Sequence, residues 1–169
     1  DEAKAAELLR QGSDRGHLDS QIEYARWLTF GIGIPKDETA GTVLYRKAAE
    51  SNNRVAQYGL GMAYLRGRGV NRDDKTGARW IDASARQGWE WAQLEMGDMF
   101  RLGVGFPRSR SDAYYWYSVA SRANNPDVAS RANVWRTDLA RDMQQTELTR
   151  IAARAETFRA QTGFRPRMD

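Results

Sequence analysis

Three Gly-x-Gly triplets, Gly31-Ile32-Gly33, Gly67-Arg68-Gly69 and Gly103-Val104-Gly105, invite a chemical reading first. Glycine-rich turns can cradle phosphate with backbone N–H groups, so a nucleotide site has to be tested. A dinucleotide fingerprint requires a further glycine three residues on, after a strand. Those positions hold Lys36, Arg72 and Arg108, and the segments before the triplets read as helices. The chain has no Gly-x-x-x-x-Gly-Lys-Ser/Thr loop, no Gly-x-Ser-x-Gly elbow and no His-Glu-x-x-His pair. His17 is the single histidine, in a turn, with no defined base or metal partner, so it reads as exposed or structural. The acidic pairs Asp37-Glu38 and Asp73-Asp74 fall at predicted helix N-termini, where negative charge answers the helix dipole. Zero cysteines exclude disulfides and thiolate metal ligands. The expectation is a chain with no catalytic residues, no metal site and no cofactor.

The triplets matter instead through their spacing, which is 36 residues each time. A fixed period of that size marks a stack of one supersecondary unit. The rest of the unit repeats without a gap: Ser20, Ala56 and Ala92 align, then Tyr24, Leu60 and Met96, then Ala25, Gly61 and Gly97, then Leu28, Tyr64 and Phe100. After each triplet come Asp37, Asp73 and Ser109, then Leu44, Trp80 and Trp116, then Ala49, Ala85 and Ser121, and Asn52, Gly88 and Asn124 close the units. Each unit reads as two helices. The first, from about Asp19 to Phe30 in the first unit, carries apolar or small residues on one face of a 3.6-residue period. The glycine after it ends it in the left-handed conformation. Asp37, Asp73 and Ser109 then cap the second helix, with Ser109 and Asp112 resembling a capping box. That helix ends at Asn52, Gly88 or Asn124, residue types that tolerate positive φ.

The order Ala56, Leu60-Gly61, Tyr64, Gly67-Arg68-Gly69-Val70, Asp73, Trp80, Ala85 and Gly88 resembles the Sel-1-like repeat, a tetratricopeptide-type helical hairpin with a lengthened inter-helix loop. The first unit departs at Ser20, Ala25 and Leu28 and the third at Phe106 and Ser109, swaps that keep size or capping ability. The resemblance covers residues 17–125 and implies an all-α, right-handed α-solenoid of helix-turn-helix hairpins. Residues 1–16 are expected to be the second helix of a preceding repeat, which suggests a trimmed or longer protein. Repeats are expected at 17–52, 53–88 and 89–124, capping helices at 125–162 and a flexible tail at 163–169. The two final helices are placed at about 126–143 and 146–160, the latter with Leu148, Ile151, Ala152, Ala155 and Phe158 on one side.

Composition narrows the partners. The mean hydropathy of −0.74 and the lack of a long apolar run exclude a membrane-spanning helix. The net charge of +4 is concentrated in residues 54–89, which alone carry +4, while 18–53 carry −1 and 90–125 carry none. Nucleic-acid binding calls for a basic stripe across several units with aromatic platforms, and this distribution is not one. Nucleic acid is therefore not expected as a partner. The resemblance implies an interaction scaffold or regulator of another protein or peptide, in bacterial envelope signalling, polysaccharide control or polarity. It also suggests a periplasmic or exported location, with the cytoplasm an alternative. An inhibitor of a secreted toxin and a peptidoglycan or carbohydrate binder stand as alternatives, the latter through Trp89, Trp91 and Tyr58. Oligomeric state is left open by the sequence.

In tetratricopeptide-type folds the first helices line the concave side, and partners touch side chains that face away from the second helix. Those positions give a candidate binding face of Arg26 and Phe30 in the first unit, Tyr58, Met62, Leu65 and Arg66 in the second, and Trp91, Asp98 and Arg101 in the third. Aromatic, Met and Arg side chains are the types that dominate binding hot spots. Packing between adjacent first helices competes for the same positions, with Val55 and Leu94 the more core-like.

Overall fold

The computed structural model describes residues 1–162, and every regular element among them is a helix. In chain order these are α1 (Glu2–Asp14), α2 (Leu18–Phe30), α3 (Glu38–Glu50), α4 (Arg54–Arg66), α5 (Asp74–Arg86), α6 (Glu90–Leu102), α7 (Arg110–Ala120), α8 (Pro126–Ala140) and α9 (Gln145–Gln161). The architecture is an all-α solenoid of helical hairpins. The flexible tail expected at 163–169 lies outside the described residues. The chain divides into two compact units, residues 1–80 and 81 onward.

The loop chemistry explains the period. Gly31, Gly67 and Gly103 end α2, α4 and α6 at φ of 71°, 64° and 77°, a region in which a Cβ is strained. The loop then folds back so that the N–H of Asp37, Asp73 and Ser109 donates to Leu28, Tyr64 and Phe100 carbonyls at 2.8, 3.1 and 2.9 Å. The caps close as their side chains dictate. Asp37 accepts from the Ala40 N–H at 2.9 Å, Asp73 from the Lys75 and Thr76 N–H groups at 3.0 Å, and Ser109 from the Asp112 N–H at 3.2 Å. Each cap contributes about 1 kcal/mol. Ser109 departs from a capping box in one respect: its hydroxyl donates to Asp112 Oδ2 at 2.6 Å, while its own N–H goes to Phe100.

A glutamine recurs with the same period and ties each first helix to the segment before it. Gln21, Gln57 and Gln93 are buried, and their amides donate to Ser13 O, Asn52 Oδ1 and Ala85 O at 3.3, 3.1 and 3.3 Å. Two of these three acceptors are carbonyls near the end of a helix, groups that a helix leaves without internal partners.

In the first unit, α2 and α3 cross closely because Gly41 sets its backbone against Thr29 and the Ala25 carbonyl. Gly77 does the same against Leu65 and Gly61 on α4. The core gathers Ile22, Ala25, Tyr45, Ala48, Ala49, Ala56 and Leu60, with Leu44, Tyr64 and Trp80 packed on it. In the second unit, Leu94, Ala113, Tyr117, Ala120, Val128 and Ala132 form the core, with Trp91, Phe100 and Trp135 against it. Burying each larger apolar side chain contributes about 1.5–3 kcal/mol.

The third hairpin ends differently from the expectation. Asn52 and Gly88 have positive φ, 60° and 80°, but Asn124 does not. Helix α7 already stops at Ala120, capped by Ser121 in the right-handed region. The carboxylate of Glu90 takes the Asn124 and Asn125 N–H groups at 2.6 and 3.1 Å, so the turn needs no left-handed residue. The last two helices also keep more of the repeat than their sequence suggests. Helix α8 starts 36 residues after α6, at Pro126 against Glu90. Asn133 and Thr149 now stand where Gly97 and Ala113 allow α6 and α7 to cross. Helix α9 accordingly packs on α7, where Phe158 meets Tyr115 and Trp116 edge-on.

Candidate functional site

The candidate residues fall in both units, and their surroundings differ. In the first unit, Arg26 is exposed and paired with Glu23 at 2.9 Å. Phe30, the last residue of α2, is 54% exposed, and Arg68 lies 5.1 Å above its ring. On α4, Tyr58 and Met62 are half-buried and Arg66 is exposed at the helix end. Leu65 is half-buried where α4 crosses α5, its Cγ 2.8 Å from the point a Cβ on Gly77 would occupy. It therefore belongs to the hairpin seam as much as to any outer face.

In the second unit the candidates are largely engaged with the chain itself. Trp91 is half-buried against the core, with Arg131 at 6.0 Å from its ring centre. Leu94 is 2% exposed and is core. Asp98 accepts from the Tyr117 hydroxyl at 2.7 Å and from Arg101 at 2.9 Å. The Arg101 Nε donates to the same hydroxyl at 3.0 Å, and its guanidinium stacks 3.9 Å from the Trp135 ring centre. Burial, and then the bond to Asp98, push the Tyr117 hydroxyl well above the ordinary tyrosine range, although Arg101 pulls the other way. That network is a structural clamp joining α6, α7 and α8.

His17 is exposed at the start of α2 and makes no cap bond. Among the described residues no group of three or more His, Cys, Asp or Glu side chains could hold a metal. No helix of the described residues is long and apolar enough to cross a membrane.

Two features lay beyond the sequence reading. One is a cleft of about 400 Å³ in the second unit, walled by Arg101, Arg108, Arg110 and Trp135. The other is an aromatic pocket of about 240 Å³ walled by Phe100, Phe106, Tyr115 and Trp116. The first had a signal in the register. Lys36 and Glu38, and Arg72 and Asp74, are cation–acid pairs, whereas the third loop reads Arg108 and Arg110.

A period of 36 residues, paired helices, left-handed glycines and aspartate caps define a helical-repeat scaffold, and comparison with known proteins gives it a family. The Sel1 repeat model matches residues 1–17, 18–53, 54–89 and 92–125. The chain belongs to the Sel1 repeat family, whose repeats generally mediate protein–protein interaction, and no catalytic family is indicated. A crystal structure of a Sel1 repeat protein from Oxalobacter formigenes is similar, with 31% identity and a TM-score of 0.63 over 75% of this chain and 96% of that one. A protective antigen of uropathogenic Escherichia coli displaying an SLR fold shares the fold, with a TM-score of 0.68 and 22% identity over 93% of this chain and 41% of that one. A chitin synthase regulator, SKT5 of Malassezia restricta, is 29% identical over 136 residues. The match covers 79% of this chain and 9% of the regulator, so this chain spans a small part of its length.

Proposed function

We propose that this chain is a non-enzymatic adaptor that regulates another protein by holding it, or a peptide segment of it, on the concave face of its first helices. The observation that carries this reading is Phe30. It is an aromatic residue more than half exposed at the end of α2, with Arg68 stacked over it and Arg66 exposed at the end of α4, the next first helix. The hairpin does not require a phenylalanine there, since Phe30 is absent from the core that α2 and α3 build. An exposed aromatic flanked by arginines has the composition of a binding hot spot. Tyr58 and Met62, half-buried on α4, extend the face, with Arg26 beside it in register. Trp91, Asp98 and Arg101 lie in the second unit, where their polar atoms and rings are already engaged, and are not part of this face. The likeness to a protein named as a chitin synthase regulator supports a regulatory role. Work in the bacterial envelope, on signalling, polysaccharide control or polarity, is part of the same proposal, and fractionation of the source cells tests it.

The test is affinity capture from the source lysate with the wild-type chain and a Phe30→Ala/Tyr58→Ala/Met62→Asp variant of matched helicity. A protein retained by the wild type and lost from the variant, then shown to bind as a purified pair, is the expected result. Identical capture by both chains would overturn the first-helix face as the binding surface.

A further inference from the structure

The three hairpin loops are built on one pattern, and the third breaks it in charge. In the first, Lys36 Nζ meets Glu38 Oε1 at 2.7 Å. In the second, Arg72 Nε meets Asp74 Oδ1 at 2.7 Å. The acid opens the following helix, where its charge also suits the helix dipole. In the third loop the cation is kept as Arg108, but the acid is replaced by Arg110. Two arginines now stand at the start of α7, an arrangement that electrostatics alone disfavours. Arg110 is held only loosely, 3.4 Å from the Asp142 carbonyl and 3.7 Å from its carboxylate.

These two side chains share the 400 Å³ cleft with Arg101 and Trp135. Its acidic members do not neutralise Arg108. Asp138 is paired with Arg141 at 3.1 Å, and Asp142 is 72% exposed at the edge. Among the described residues this leaves a cleft with one fork-shaped cation that makes no ion pair, a second one weakly engaged, and an apolar wall of Trp135 and Leu139. Guanidinium groups bind carboxylates in a bidentate, charge-assisted geometry, and the apolar wall suits the methylenes of an acidic side chain.

Resting on the reading of this chain as a protein-binding module, we propose that the Arg108–Arg110 cleft is a second contact site that takes a carboxylate of an acidic peptide segment. Arg108 and Arg110 bind the carboxylate, and Trp135 packs against the chain that carries it. Arg101 stays committed to Asp98 and Tyr117 and fixes the wall.

The experiment uses the whole ¹⁵N-labelled chain titrated with hexaglutamate, with hexaglutamine and inorganic phosphate as parallel probes. The expected result is a saturable shift of the Arg108–Ser111 amides and the Trp135 indole with hexaglutamate alone. Arg110→Glu, which supplies the acid that the other loops have, and Arg108→Gln should each weaken binding on the order of tenfold. Both positions are exposed, and circular dichroism checks that both variants keep their helicity. Equal shifts with hexaglutamine, equal affinity for phosphate, shifts confined to Arg54–Arg86, or undiminished binding by both variants would overturn the proposal. A failure here leaves the Phe30–Tyr58–Met62 test untouched, because none of those three residues lines the cleft.

Discussion

Tyr45 and Tyr117 occupy the same place in the repeat, 72 residues apart, yet their rings rest in opposite directions along the chain. The Tyr45 ring lies over Gly59 of α4, a helix that follows it, where an added Cβ would come within 2.6 Å of the ring. The Tyr117 ring lies over Gly97 of α6, a helix that precedes it, at 2.5 Å by the same measure. The position of a glycine accounts for the difference. Twenty residues before Tyr45 stands Ala25, and 14 after it stands Gly59; for Tyr117 the corresponding residues are Gly97 and Arg131. Each ring takes the side where no Cβ is in the way. The hydroxyls then differ in their surroundings: Tyr117 donates to Asp98, whereas the residue in the matching position of the first unit is the cation Arg26. A repeat thus conserves a core position while one glycine decides which pair of helices it binds together.

Moving the glycine is the strongest way to break this comparison. Gly97→Ala forces the Tyr117 ring off α6 and breaks its bonds to Asp98 and Arg101, a loss of about 3 kcal/mol from overpacking and lost hydrogen bonds. Gly59→Ala displaces a ring with no such bonds, and the gain in helix propensity offsets part of the cost, leaving about 1–2 kcal/mol. Urea unfolding of the two variants checks the order. An equal loss in both would show that the hydroxyl network adds nothing to ring packing.

Removing only the hydroxyls sharpens the same point. Tyr117→Phe leaves Asp98 and Arg101 short of a partner in a half-buried site and should cost about 1.5 kcal/mol. Tyr45→Phe should stay within about 0.5 kcal/mol of wild type at pH 7, since the ring keeps its packing and no hydrogen-bond partner is left unsatisfied. The difference in unfolding free energy between these two variants is the measurement. The sequence could not announce it. Both tyrosines read as one repeat position, and the sign of the partner, Asp98 or Arg26, has meaning only once the ring direction is known.

The same limit explains what was legible and what was not. Helix order, glycine caps and aspartate caps are local, so a 36-residue register displayed them directly, down to the cap bonds of Asp37 and Asp73. Asn124 misled because its turn is closed from a distance, by Glu90. The candidate face was read as a set of positions on helices, and of these Phe30 is exposed. Whether Leu65, Asp98 and Arg101 were free depended on Gly77, Tyr117 and Trp135, contacts that a period does not contain. The Arg108–Arg110 cleft was half visible, as a break in charge pattern, but its Trp135 wall comes from α8, outside the repeat.

Alkaline titration gives the smallest and most specific test of the pair. Burial pushes the Tyr45 hydroxyl up to about 12, with Arg26 and Arg68 opposing and Glu23 assisting. An unfolded tyrosine ionises near pH 10. The folded chain therefore keeps this hydroxyl neutral while the unfolded chain releases its proton, and the unfolded state gains as pH rises. The contribution is fully present below pH 10 and is lost between pH 10 and 12. At pH 10.5 the loss from Tyr45 amounts to about 0.8 kcal/mol. Tyr45→Phe has no proton to lose, so its stability should fall less than that of wild type between pH 7 and 10.5, by about that amount. Because Tyr117 is raised by its bond to Asp98 as well as by burial, Tyr117→Phe should also flatten the alkaline limb, but from a lower starting stability. A wild-type limb unchanged by Tyr45→Phe would mean that the ring over Gly59 keeps its hydroxyl in water, and that the two tyrosines differ less than their seats imply.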